Sequence, residues 1–190
     1  MKLISRVIVN SSVVLAAAGI LLGTEPRATH AASAPSDAAR ASGYVLNQPT
    51  LTLEGAKRAA VAAIAYARSH GAPGGSVAIV DAGGYTLYLE RLDGTFAAAA
   101  DVSIGKARTA VNFGKPTRGL EEAINKGRPA LLPVADVTWF TPLQGGVPIV
   151  VNGQVIGGIG VSGALDQQQD EDVAMAGAQA ITGATARETP

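Results

Sequence analysis

GGVPIVVNGQVIGGIGVSG, residues 145–163, reads as two β-strands joined by a two-residue turn. Asn152-Gly153 carries that reading. A type I′ turn needs φ > 0 at both central residues, and Asn-Gly is among the pairs that accept it most readily. Val147, Ile149 and Val151 lead in, and Gln154 to Val161 leads out. The outgoing strand holds Gly157, Gly158 and Gly160. Glycine weakens a strand, so several together imply close approach of another backbone. The hairpin is therefore expected at the centre of a sheet, with helices packed closely on it.

Gly158, Gly160 and Gly163 also satisfy G-x-G-x-x-G. The dinucleotide-binding version of that spacing needs a parallel βαβ unit and an acidic residue roughly 20 residues further on. Here the glycines lie on one arm of a hairpin, and a single helix follows. Their role is structural.

After the hairpin, residues 166–181 form a helix with Val173, Ala176, Gly177 and Ala180 facing inward. Asp170, Glu171 and Asp172 suit its first turn, where the helix dipole favours carboxylates. They point in different directions and lack the alternating loop ligands of a calcium site. Residues 184–190 read as a loose polar tail. Before the hairpin, residues 127–144 hold Pro129, Pro133 and Pro142 around Trp139-Phe140. This segment is irregular, with a short edge strand expected over Val137–Phe140, and its aromatics suit a pocket or a subunit interface. A short helix capped by Thr117 runs to about Lys126.

Residues 97–112 form an Ala-rich helix. Ala100, Ile104, Ala107 and Val111 make its buried stripe; Asp101, Arg108 and Asn112 project from a second side, and Lys106 from a third. A second hairpin precedes it: Ser76–Asp81, a turn at Ala82-Gly83-Gly84, and an alternating strand from Tyr85 to Leu92. The first helix starts at an N-cap Thr52, buries Leu53, Ala56, Ala60, Ile64 and Ala67, and stops at Gly71 and Pro73. Residues 35–50 form a flexible lead-in. Residues 1–34 read as a secretory signal, with Lys2 and Arg6 before an apolar run and an A-x-A site at Ala32-Ser33-Ala34. Cleavage would place the mature chain in the periplasm or outside the cell, free of the membrane, and leave His70 as its histidine. Two tight hairpins among helices imply an α+β fold with an antiparallel sheet.

Composition narrows the chemistry. Lysine plus arginine and aspartate plus glutamate each number 15, and no basic run appears, so nucleic acid is not an expected partner. The absence of cysteine excludes disulfides, thiolate metal sites and a cysteine nucleophile. Much of the apolar content is alanine, which buries little area per residue, a situation that oligomerisation relieves.

Several segments then match one family. They are Leu51-Thr-Leu-Glu-Gly-Ala56, Val77-Ala-Ile-Val-Asp-Ala-Gly-Gly84, Arg91-Leu-Asp-Gly94, Lys106-Ala-Arg-Thr-Ala110, the hairpin itself, and Gln169-Asp-Glu-Asp-Val-Ala174. In this order they resemble the GlcG/HbpS-like family of haem-binding and haem-degrading domains, related to the C-terminal domain of PduO-type proteins. The resemblance covers residues 51–183, with Ala164 standing where many members carry a second glycine. It implies a profilin-like α+β fold, a five-stranded antiparallel sheet flanked by helices. It also implies homo-oligomers, octameric in the HbpS type. Members are described as binding haem or, for some, cobalamin.

The site candidates follow. His70 is the first, as an axial haem ligand, set against a plain histidine at a helix C-terminus. Failing His70, a haem would need Met175, a tyrosine, or an oxygen ligand such as Thr138 or Thr141. Arg91 and Lys106 suit an anionic group such as a propionate, set against structural ion pairs with Asp93 or Asp101. Three functions are thus in view. The first is an exported, oligomeric haem-binding protein for capture, buffering or sensing. The second is an enzyme on a small anionic metabolite, with Asp93 or Asp101 as acid or base. The third is a ligand-free assembly module.

Overall fold

The computed structural model describes residues 46–136 and 139–188. The signal segment 1–34, most of the lead-in, and Thr138 lie outside them. Helix α1 spans Leu53–Ser69, strands β1 and β2 span Ser76–Asp81 and Thr86–Arg91, and helices α2 and α3 span Ala99–Phe113 and Arg118–Asn125. A 3-10 turn at Pro129–Asp136 leads to β3 (Gly146–Val151), β4 (Gln154–Ser162) and α4 (Gln167–Glu188). The last helix runs beyond the 166–181 expected.

Three local signals act as read, whereas Thr117 precedes α3 without capping it, its hydroxyl donating to Leu143 O at 2.6 Å. Thr52 Oγ1 accepts from Gly55 N at 3.1 Å, capping α1. Asn152 and Gly153 sit at φ 50° and 76°, as the type I′ turn requires. Between β1 and β2, Asp81 Oδ1 accepts from Gly83 N and Tyr85 N, both at 2.9 Å, so one carboxylate organises that turn.

The sheet order is β2-β1-β4-β3, with every pairing antiparallel. Each hairpin forms one half, and β1 and β4 pair in the middle, Ser76 opposite Ser162 and Ala78 opposite Gly160. Four strands are found among the described residues, where five were expected. Within the expected edge strand, Val137 and Thr138 lie outside the described residues, and Trp139 and Phe140 form turn and coil.

Strand β4 explains the layering. Its alternation sends Ile159 and Val161 into the main core with α1 and α4, together with Val77, Ile79 and Ile149. Gly158 and Gly160 face α2. A Cβ on Gly158 would lie 2.9 Å from Ala107 O, and one on Gly160 would overlap Ser103 O. The glycines thus let the α2 backbone lie directly on the sheet. Helices α1 and α4 approach through small residues too, since a Cβ on Gly177 would stand 2.9 Å from Ala59 O.

Several burial expectations fail: Ala100 and Ile104 on α2 and Ala176 and Ala180 on α4 are only half-buried. Leu53 is 49% exposed, and Leu51, just before the helix, fills that place in the core. Lys106, expected on an outer side of α2, is 3% exposed. The burial of Lys106 follows from the closeness of the sheet, which turns a wider arc of α2 inward than periodicity suggests.

Candidate functional site

His70 is the C-cap residue of α1. Its Nδ1 lies 2.9 Å from Tyr66 O, and its ring stacks on Tyr66 with centroids 3.8 Å apart. A carbonyl oxygen only accepts, so Nδ1 carries the hydrogen and donates. Ser69 Oγ, 3.0 Å from Nδ1, also donates to Tyr66 O. In the neutral ring the lone pair then sits on Nε2, which meets no partner among the described residues. From α4, Gln169 Nε2 donates to His70 O at 3.0 Å, pinning the helix end. Beside Tyr66 a hollow of about 180 Å³ is lined by Asp172, Met175, Ala176 and Gln179. His70 and Met175, two of the possible iron ligands, therefore flank the same tyrosine.

The other candidates are dispersed. Arg91 is exposed and donates from one terminal nitrogen to Thr95 O at 3.0 Å. Lys106 is turned inward, with Nζ 2.7 Å from Asp170 Oδ2 and 2.8 Å from Val161 O. The carboxylate that pairs with Lys106 is thus Asp170, rather than Asp93 or Asp101. Asp170 Oδ1 accepts from Ala164 N at 3.0 Å. Thr141 donates its N–H to Thr109 Oγ1 at 2.7 Å, and its side chain packs on Gly105. Phe113, Trp139 and Phe140 form an aromatic cluster, with Phe113 and Phe140 centroids 5.6 Å apart.

The acidic run on α4 diverges, as a helix dictates, and two of its members are buried instead of solvated. Asp170 meets Lys106; Glu171 accepts from Arg118 Nε and from Gln144 Nε2, both at 2.6 Å; Asp172 accepts from Gln168 at 2.9 Å. Among the described residues, no group of three or more His, Asp or Glu side chains could hold a metal ion. Periodicity gave no sign of the Lys106–Asp170 pair, because its members stand 64 residues apart.

Burial pushes the Asp170 carboxyl above its ordinary value of 3.8, with Lys106 and the Ala164 N–H opposing the rise. A native value above the unfolded one means that ionisation disfavours the fold. This group's contribution is therefore greatest at low pH, declines as pH rises from 3.8 towards the native value, and is flat beyond it. Asp170→Asn does not titrate there. The wild type should lose stability relative to that variant as pH rises through this window, as measured by urea unfolding at several pH values. A constant difference would show that Asp170 is not shifted.

Residues 51–179 match the family model described as "Haem degrading protein HbpS-like". Protein GlcG of Escherichia coli K12 is 46% identical over 87 residues, 46% of this chain and 63% of that relative's length. A double mutant of Streptomyces reticuli HbpS superimposes with a TM-score of 0.64 at 37% identity, over 72% of this chain and 90% of that one. A PduOC–haem complex does so with a TM-score of 0.63 at 26% identity, over 70% of this chain and 95% of that one. With the family match running from Leu51 at the edge of the core into the last helix, and the same fold in relatives of significant identity, the chain belongs to the HbpS-like family.

Proposed function

We propose that this chain is an exported, oligomeric tetrapyrrole-binding protein that captures, buffers or senses haem through His70. The observation that carries the reading is the state of that imidazole. Metal-ligating histidines characteristically donate their second ring N–H to a carbonyl or carboxylate, which fixes the tautomer and orients the free nitrogen. His70 has this arrangement, with Nδ1 held 2.9 Å from Tyr66 O at an exposed position. The donor set fits haem, whose iron takes one axial imidazole nitrogen from the protein. Family membership and the haem complex of a 26% identical relative support the same ligand.

The hollow beside Tyr66, about 180 Å³, is smaller than the roughly 300–1,000 Å³ of pockets that enclose drug-sized ligands. A macrocycle held here would keep one face open, and a second subunit would cover it. Oligomerisation thus belongs to the same proposal. Export rests on the signal-like residues 1–34.

A haem titration followed at the Soret band tests the proposal. The expected result is a saturable shift in the wild type that His70→Ala weakens at least tenfold, with cobalamin tried as competitor. His70 is exposed, so the variant should melt like the wild type. A shift unchanged by the substitution would remove His70 as ligand, and no saturable shift would overturn the proposal.

A further inference from the structure

On the opposite side of the sheet from His70, a hollow of about 270 Å³ lies between the β1–β2 turn and α2. Gly83, Gly84, Tyr85, Arg108, Asn112 and Trp139 line it. Arg108 is half-buried and donates from Nε to Gly84 O at 2.8 Å. That bond fixes the plane of the guanidinium. Its two terminal nitrogens have no acceptor, and no carboxylate pairs with it, among the described residues. The nearest acidic group on the turn, Asp81, directs Oδ1 to the N–H groups of Gly83 and Tyr85. Asn112 Nδ2 is occupied by Arg108 O at 2.9 Å. Tyr85 stands 72% exposed on one side, and Trp139 is half-buried in the wall.

We infer that this hollow binds the carboxylate of a small aromatic acid, gripped by the terminal nitrogens of Arg108 and covered by Tyr85 and Trp139. A guanidinium offers two parallel N–H groups that match a carboxylate, and a fixed plane reduces the ordering cost of using them. Arg108 is the charged member of the lining and sits in mid-helix, away from any helix N-terminus. One positive charge suits one carboxylate better than a doubly charged phosphate. The aromatic walls suit a ring, and the volume lies just under the roughly 300 Å³ at which pockets enclose drug-sized ligands, so a single-ring acid fits. Gly84 keeps the mouth clear, since a Cβ there would stand 3.6 Å from Arg108 Cγ and from Asn112 Nδ2. The inference is independent of tetrapyrrole binding at His70.

Trp139 is the chain's one tryptophan, so its fluorescence reports directly on the hollow. Benzoate titrated into the full haem-free chain should give a saturable change. Benzamide, the uncharged isostere, and acetate, which lacks the ring, should each bind at least about tenfold more weakly. Arg108→Gln should weaken benzoate by a similar factor. Tyr85→Ala, at an exposed position, should weaken it several-fold and tests the site should Arg108→Gln fail to fold. The absence of a saturable change overturns the inference, as does equal binding of benzamide, or benzoate affinity unaltered in either folded variant.

Discussion

Gly160→Ala is expected to lower the unfolding free energy by about 3 kcal/mol or more, enough to leave much of a marginally stable domain unfolded. The reason is the identity of the atoms in the way. A Cβ at this position would overlap Ser103 O and stand 2.6 Å from Ala107 N and 3.1 Å from Ser103 C. Inserting a methyl into a packed core costs about 1–3 kcal/mol where side chains can yield. Here every obstructing atom is α2 backbone, so relief requires moving the whole helix. That helix also carries Lys106 to its buried partner and packs Ala107 and Val111 against Val80. Gly119→Ala is the control, because nothing lies within 4 Å of its Cβ position. It should be neutral or stabilising by up to about 1 kcal/mol, as glycine-to-alanine changes in exposed helices are. Urea unfolding of the three proteins decides the matter. An unaltered midpoint for Gly160→Ala would show that α2 does not lie so close to the sheet.

Asp170→Ala is expected to cost about 3–5 kcal/mol, the usual penalty for removing one member of a buried ion pair. The Lys106 and Asp170 side chains are only 4% and 9% exposed. Without the carboxylate, the ammonium keeps Val161 O as its one remaining acceptor among the described residues, and the Ala164 N–H loses its partner. The first leaves a buried ammonium without its counter-charge, and the second leaves a part-buried N–H without its acceptor. The double variant Lys106→Met/Asp170→Leu should recover most of the stability, because it removes both charges and keeps apolar volume. Calorimetric or urea melts of the single and double variants separate charge from packing. A double variant as unstable as the single one would assign the effect to packing at the start of α4.

The elements were legible because their signals are local. The type I′ turn at Asn152-Gly153, the Thr52 cap, the Asp81 turn and the stop at Gly71 each depend on residues within a few positions of one another. The His70 arrangement is nearly as local, since its Nδ1 bonds to the carbonyl four residues back. Even the glycine pattern of β4 announced a close neighbour, without saying which one. Resemblance added the family, but it also carried a fifth strand that the described residues do not contain.

Arg108 and Asp170 show where local reading ends. Arg108 looks like an ordinary outward arginine on α2 until the β1–β2 turn, 24 residues away, places Gly84 O against it. Asp170 looks like a helix-dipole carboxylate until the folded chain brings Lys106 Nζ of α2 to within 2.7 Å of it. The sequence by itself determined the helices, the two hairpins and the need for close packing on β4, because backbone sterics and capping act over a few residues. The tertiary structure alone decided which strands meet in the middle, which charge Lys106 faces and which guanidinium keeps unspent donors. Those outcomes depend on groups that are distant in the chain and become neighbours only when the core excludes water.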